Sequence, residues 1–277
     1  MNRYSHPNFV LLSVPRSGST WLQHCLDSHP DASCIGEVFS IHTPNCVLSR
    51  LMPSSIQKLH REINNLHIKA KLPWRYFTRI LNRSLGYLQF FLNAKRLDQV
   101  FKEGIIPSSH ANCKIKGFKV MRFHLLRFKP SLEKYLSEHC EFQLILLRKN
   151  LLQRWVSIMV AKKKVNFASS SESVSKQKYK LPMKNLLRDL SLLNKAQDDV
   201  LNYKIAKRNM IIYYEDLLFN PSQTWNQICR FLQISTVPLP ETNCVKQNSL
   251  KISDTVSNFE ELKSLLLNSE FQCYLDL

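Results

Sequence analysis

Cysteine pairs at metal-binding spacing are missing from this sequence. Its cysteines are scattered, none of them form a C-x-x-C pair, and several lie in apolar runs, as Cys229 does in WNQICRFL. This distribution argues against a zinc site and against a disulfide framework. It favours reduced, buried thiols and predicts a cytoplasmic protein. The eight cysteines are Cys25, Cys34, Cys46, Cys113, Cys140, Cys229, Cys244 and Cys273.

Long apolar runs are also missing. No stretch approaches the roughly 20 apolar residues that a transmembrane helix requires. The first residues, MNRYSHPNF, contain no hydrophobic segment of the signal-peptide type. We therefore expect neither a membrane span nor a secretion signal.

Acidic residues are few, with 21 Asp and Glu against 39 Lys and Arg, a net charge of +18. Such an excess suits nucleic acid, an anionic membrane surface or polyanionic small substrates. Zinc-finger spacing, RNP-like motifs and a basic zipper are absent, so we expect no nucleic-acid partner.

The composition predicts a globular protein with a packed core, because 44% of the residues are hydrophobic and 10% are aromatic. Short apolar runs alternate with helical patterns, which predicts an α/β fold with a central parallel sheet flanked by helices. We expect a single domain over 1–277, with helical and loop insertions at about 41–102 and 165–206. The predicted strands include FVLLSV (9–14), a short strand that ends in a turn at Gly36, GFKVM (117–121), EFQLILLRKN (141–150) and NMIIYYEDL (209–217). Asn150 and Pro221 are expected to start helices, and an amphipathic helix is expected from about Asn258 to Tyr274.

The first strand leads into a loop of small polar residues and then into a helix. Pro15 ends the strand, and Gly18 is one of only five glycines in the chain. A glycine in such a loop permits positive φ or close approach of the backbone to a ligand. Backbone N–H groups at the start of a helix favour an anion, so this stretch predicts a phosphate cradle.

The loop departs from the Walker A pattern of nucleotide triphosphatases. Ser13 stands at the position of the first glycine and Ser19 at that of the lysine, while the cation is Arg16. Without the lysine, the main contact to the β- and γ-phosphates is lost. ATP hydrolysis and an altered P-loop kinase are therefore disfavoured.

A second anion-binding segment lies at the end of the strand predicted at 141–150. Arg148 leaves the carboxyl end of that strand, and Ser157 lies two turns into the next helix. Ligands of open α/β sheets bind beyond the carboxyl ends of the strands, so Arg148 is expected to meet the anion of the first loop.

These segments resemble a known family. PRSGSTWL (15–22) is similar to the 5′-phosphosulfate loop of sulfotransferases that use 3′-phosphoadenosine 5′-phosphosulfate (PAPS). The Arg148–Ser157 segment resembles their 3′-phosphate motif, and YYEDLLFNPSQTWNQICRFLQI (213–234) resembles a third family stretch that carries fold more than chemistry. The tail from Lys246 resembles bacterial carbohydrate and glycolipid sulfotransferases of the nodulation type. The resemblance implies a P-loop-like three-layer fold.

By this resemblance, PAPS is the co-substrate and a metal ion is not needed, because Arg16 and the loop N–H groups neutralise the sulfuryl oxygens. Family members often separate the 3′-phosphate arginine and serine by eight residues. Here Arg148 precedes Ser157 by nine, so Lys149 stays open as the alternative cation. The implied donor-binding residues are Arg16, Ser17, Gly18, Ser19, Thr20, Trp21, Arg148 and Ser157.

Two residues are candidates for the catalytic base. SHPDASCIGEVF (28–39) resembles the S-H-P-x(5)-G-E segment whose glutamate is the base in related carbohydrate and tyrosylprotein enzymes, which assigns the role to Glu37. The structural alternative is that Glu37 orders the loop by pairing with Arg16. His124 is the rival, since cytosolic sulfotransferases carry a catalytic histidine near the end of the corresponding strand.

The predicted function is sulfuryl transfer from PAPS to a hydroxyl of a carbohydrate or glycolipid. A protein-tyrosine or small-phenol sulfotransferase, and a non-catalytic basic module that binds nucleotides or membranes, are the alternatives. Lys71, Arg75, Arg79 and Arg83 recur every four residues along a predicted helix. This stripe is either a solvated face or a surface for peripheral association with anionic membrane. The acceptor and the oligomeric state stay open.

Overall fold

The computed structural model describes residues 8–37, 113–128, 131–164, 177–242 and 251–275. Within these ranges, five parallel strands form one sheet in the order β2-β3-β1-β4-β5. The strands are β1 (Phe9–Ser13), β2 (Ala32–Glu37), β3 (Ile115–Met121), β4 (Phe142–Leu147) and β5 (Arg208–Tyr213). This arrangement confirms the predicted α/β fold with a central parallel sheet.

The three central strands β3, β1 and β4 are buried along their whole length. This burial explains the apolar runs of β1 and β4, whereas β3 also contains two buried lysines, Lys116 and Lys119. Because successive side chains alternate between the faces, β1 contributes to two separate cores. Val10 and Leu12 pack on one side, and Phe9 and Leu11 pack on the other.

Helices flank the sheet. Two start signals predicted from sequence are present: the Asn150 side chain accepts the N–H of Gln153 at 2.9 Å, and Pro221 is the first residue of its helix. The helices are α1 (Ser19–Asp27), α2 (Arg122–Phe128), α3 (Ser131–His139), α4 (Leu151–Lys164), α5 (Leu186–Leu201), α6 (Tyr214–Phe219), α7 (Pro221–Leu232), α8 (Ile252–Thr255) and α9 (Phe259–Leu266), followed by a 3-10 turn (Gln272–Leu275).

Two predicted boundaries were wrong. The last strand ends at Tyr213 and YEDLLF forms α6, where the acidic Glu215 and Asp216 occupy the first helical turn and favour its dipole. The predicted C-terminal helix stops at Leu266. There the Ser269 hydroxyl donates to the Leu266 carbonyl and accepts the N–H of Phe271, which replaces helical hydrogen bonds.

Gly36 was predicted in a turn, but it lies inside β2. The register between β2 and β3 shifts there: Ile35 faces Phe118, and Glu37 faces Lys119. One extra residue on β2 therefore forms a bulge, which re-aims the side chain that follows it. The bulge sets Glu37 opposite Lys119.

The predicted insertion at about 41–102, including the basic stripe of four residues, lies outside the described residues, as does the first part of the predicted insertion at about 165–206. The membrane hypothesis attached to the stripe stays a prediction. In the ranges that the structure covers, no helix combines the length and hydropathy needed to cross a bilayer.

The sheet order creates one preferred position for a ligand. β1 lies between β3, which continues to β2, and β4, which continues to β5. The chain winds in opposite directions from β1, and ligands of such sheets bind at the carboxyl ends of the strands at this switch point. The loop after β1 occupies that position.

Candidate active site

Two serines stabilise the loop that joins β1 to α1. The hydroxyl of Ser13 donates to the Leu146 carbonyl at 2.8 Å, and that of Ser17 donates to the Val14 carbonyl at 2.7 Å. The two hydroxyls also contact each other. A serine at the first Walker position thus closes the loop onto β4, and the Ser17 side chain supports the loop from within.

Two residues of the loop have a left-handed backbone conformation, Arg16 with φ 65° and Gly18 with φ 83°. A Cβ atom at Gly18 would lie 2.3 Å from Cδ2 of Tyr214, so both the conformation and the space require glycine. Alternating handedness turns successive N–H groups toward one concave side, which suits an anion. The N-terminus of α1, beginning at Ser19, adds its own unsatisfied N–H groups.

Arg16 and Ser157 lie in direct contact. The Nε of Arg16 donates to the Ser157 hydroxyl at 3.0 Å. Burial lowers the pKa of Arg16, and the charge of Arg148 lowers it further. The loop after β1 and the α4 segment therefore lie side by side, with half-buried Arg16 and buried Arg148 between them.

The two cations that the sequence left open, Arg148 and Lys149, have different surroundings. Arg148 is buried, and its Cζ lies 4.4 Å from the centre of the Tyr214 ring, which packs on Gly18. Burial lowers the pKa of Arg148 as well. Lys149 is 44% exposed and pairs with Asp216 on α6. Arg148 thus contacts Tyr214, which packs on the loop after β1, whereas Lys149 is held at the surface.

Glu37 is joined to the loop by a lysine that sequence reasoning did not assign. The Nζ of Lys119 lies 3.3 Å from Oε1 of Glu37 and donates to the Thr20 hydroxyl at 3.2 Å. Lys119 is only 3% exposed, and buried lysines are almost always paired. A lysine inside the apolar strand GFKVM was the sequence signal for this site.

His124 lies at the third position of α2 and is buried. Its Nδ1 accepts the N–H of Met121, the residue that precedes the helix, at 3.2 Å. This contact follows the logic of a capping box, in which the third helical residue binds back to the cap N–H. The observed contact gives His124 a role in starting α2.

The stretch that resembled a fold element also contributes to the site. Tyr214 contacts Trp21 edge-on, with ring centroids 6.2 Å apart, and half-buried Trp21 follows the donor loop. Glu215 accepts the N–H of Lys149 at 2.9 Å and that of Asn150 at 3.2 Å, so it holds the start of α4. Sequence reasoning missed both residues because the pattern around them is that of a buried strand.

Comparison with known proteins gives a family. The profile of the sulfotransferase domain matches residues 6–271. No protein among the curated sequences matches the chain.

Three solved structures are similar in fold. The sulfotransferase domain from the curacin biosynthetic pathway is 17% identical, with 98% of this chain and 89% of that chain covered and a TM-score of 0.46. The sulfotransferase from Alicyclobacillus acidocaldarius is 16% identical, with 98% of this chain and 94% of that chain covered and a TM-score of 0.45. The sulfotransferase domain of the Synechococcus PCC 7002 olefin synthase is 15% identical, with 98% of this chain and 92% of that chain covered and a TM-score of 0.43.

The family profile spans nearly the whole chain, including the loop after β1 and the start of α4. Arg16 of the first segment and Ser157 of the second are hydrogen-bonded to each other at the switch point of the sheet. The chain therefore belongs to the sulfotransferase family, enzymes that take their sulfuryl group from PAPS.

Proposed function

We propose that this enzyme transfers the sulfuryl group of PAPS to a hydroxyl of a carbohydrate or glycolipid, with Glu37 as the base. One observation carries the proposal: Lys119 contacts both Thr20, at the start of α1, and Glu37. A candidate proton acceptor thereby lies beside the loop suited to the sulfuryl end of the donor. A module that only binds nucleotides needs no carboxylate there.

The donor fits the site by charge. Its phosphosulfate end is assigned to Arg16 and the backbone N–H groups of 17–20, and its 3′-phosphate to Arg148 and Ser157. Burial lowers the pKa of both arginines, because it removes water from their charges. Oε1 of Glu215 lies 3.8 Å from Nε of Arg148 and compensates part of this loss, and a bound anion adds to that compensation. Tyr214 and Trp21 offer ring surfaces between the two ends.

The transfer breaks one bond and forms another. Glu37 accepts the proton of the acceptor hydroxyl while the hydroxyl oxygen bonds to sulfur, and the bond from sulfur to the bridging phosphate oxygen breaks. The electron pair of that bond leaves with 3′,5′-ADP. Arg16 and Lys119 neutralise the charge that develops on the sulfuryl and bridging oxygens.

The acceptor class rests on two sequence resemblances. The S-H-P-x(5)-G-E segment that contains Glu37 resembles carbohydrate and tyrosylprotein enzymes, and the tail favours the carbohydrate branch. His124, the residue expected of a phenol enzyme, is engaged at the start of α2. We therefore favour a sugar hydroxyl over a phenol.

Radiolabelled PAPS tests this function against a panel of acceptors. The panel contains oligosaccharides, lipid-linked sugars, a tyrosine peptide and a simple phenol. We expect label on a sugar hydroxyl. Label only on the peptide or the phenol would overturn the acceptor class and leave the donor assignment intact, and absence of PAPS binding would overturn both.

Recognition of the 3′-phosphate gives a second prediction. Wild-type enzyme should bind 3′,5′-ADP more tightly than 5′-AMP by about 1.5–3 kcal/mol, the contribution of a charge-assisted hydrogen bond. Arg148→Met should abolish most of this difference, because Arg148 lies beside Tyr214 and the donor loop. Lys149→Met is the matched control and should retain it. Calorimetry measures both affinities, and the reverse pattern would assign the 3′-phosphate to Lys149.

A further inference from the structure

A third arginine, Arg154, lies beneath the donor loop. It belongs to α4 and is 2% exposed. Its Nε donates to the carbonyl of Pro15 at 3.0 Å, and one terminal nitrogen donates to the carbonyl of Leu193, within α5, at 3.3 Å. One guanidinium therefore connects the donor loop to a helix on the outside of the sheet.

The carbonyl of Pro15 belongs to the peptide that enters Arg16. Arg16 is left-handed, a conformation that a residue with a side chain adopts only when its surroundings impose it. Fixing this peptide plane keeps the carbonyl oxygen on Arg154 and leaves the following N–H groups to the opposite side. An oxygen released from Arg154 would be free to turn toward the anion, which repels it.

Arg154 is also surrounded by positive charge. Burial, together with the charges of Arg148 and Arg122, lowers its pKa to about 10. Among the described residues Arg154 has no carboxylate partner. Its two hydrogen-bond acceptors there are the carbonyl groups of Pro15 and Leu193. A buried arginine that binds carbonyl oxygens orients those groups, because its planar fork fixes direction as well as charge.

The other end of the donor site has a parallel support from α5. Gln197 is buried, accepts the backbone N–H of Arg148 at 3.0 Å and donates to its carbonyl at 3.1 Å. α5 is thus connected to both anion-binding segments, by Arg154 at the loop and by Gln197 at the end of β4.

From this geometry we propose that Arg154 is a positioning residue for the phosphosulfate end of the donor. By holding the Pro15 carbonyl against α5, it keeps Arg16 in its left-handed conformation and the loop N–H groups directed at the ligand. Gln197 does the corresponding work at the 3′-phosphate end. The inference rests on the proposed donor site and adds the residues that hold it in shape.

Truncated ligands separate the two ends. Affinity for 3′,5′-ADP is measured by calorimetry, and 5′-AMP and 3′-AMP are measured by displacing it. Arg154→Lys keeps the charge but not the fork. This variant should bind 5′-AMP and 3′,5′-ADP about tenfold more weakly, the effect of one charge-assisted hydrogen bond. Its affinity for 3′-AMP should change less than about twofold. Gln197→Leu should show the opposite selectivity.

If Arg154 and Gln197 only stabilised the fold, the two variants would not lose affinity for different ends of the ligand. Equal losses for 5′-AMP and 3′-AMP in Arg154→Lys, or an unchanged affinity for 5′-AMP, would overturn the proposal. Arg154→Gln carries the same comparison if the lysine variant does not fold. Failure of the wild-type enzyme to bind 3′,5′-ADP would instead overturn the donor site itself.

Discussion

Replacing Glu37 by Gln is expected to lower turnover by about 10²–10⁴-fold, the usual contribution of a positioned proton acceptor. The amide keeps the size of the side chain but cannot accept the acceptor's proton. Donor affinity should be retained, because Glu37 is on β2, outside the loop and the α4 segment assigned to the donor, and forms an ion pair with Lys119. Steady-state rates with the best sugar acceptor, together with calorimetry of 3′,5′-ADP, measure the two effects separately.

His124→Ala is the informative comparison. It removes the side chain that binds the Met121 N–H, so it should lower the free energy of unfolding by about 0.5–2 kcal/mol, as for other lost helix caps. Turnover per folded molecule should change little. A fully active Glu37→Gln enzyme beside an inactive His124→Ala enzyme would reverse the two roles and move the protein toward the phenol branch.

Lys119→Met should lower turnover by about 10²–10³-fold, as expected when a preorganised donor to a developing negative charge is removed. Methionine fills a similar volume, so packing is largely kept. The substitution removes the only described cation that contacts both Thr20 and Glu37. Single-turnover rates at saturating PAPS isolate this effect from donor binding.

Lys116→Met is a matched control on the same strand. Lys116 is also buried, at 7% exposure, but it lies three residues nearer the start of β3. Its loss should leave turnover within about twofold of wild type, as for a residue outside the site. Equal losses from both substitutions would mean that Lys119 acts through the strand and not through the reaction.

The prediction also includes coupling between Glu37 and Lys119. Residues that act as one unit give non-additive losses. The Glu37→Gln, Lys119→Met double variant should therefore lose much less than the product of the two single losses. Fully multiplicative losses would show that the ion pair has no part in catalysis.

The sequence by itself determined the elements that depend on local pattern. The apolar run at Phe9–Ser13 specified a strand buried on both faces, and Asn150 and Pro221 marked helix starts. Gly18 marked the loop after β1, because it is one of only five glycines in the chain and stands between a strand and a helix. These features need only the neighbouring residues, so a single sequence is enough to identify them.

Only the tertiary structure decided how distant segments combine. The bulge at Gly36 sets Glu37 opposite Lys119, and no local pattern indicates this register. Arg148 and Lys149 are adjacent in sequence and equal in formal charge, but the fold buries Arg148 beside Tyr214 and leaves Lys149 at the surface. Such contacts join residues from different strands and helices. Their energies depend on burial and distance, which are properties of the folded chain and not of any one segment.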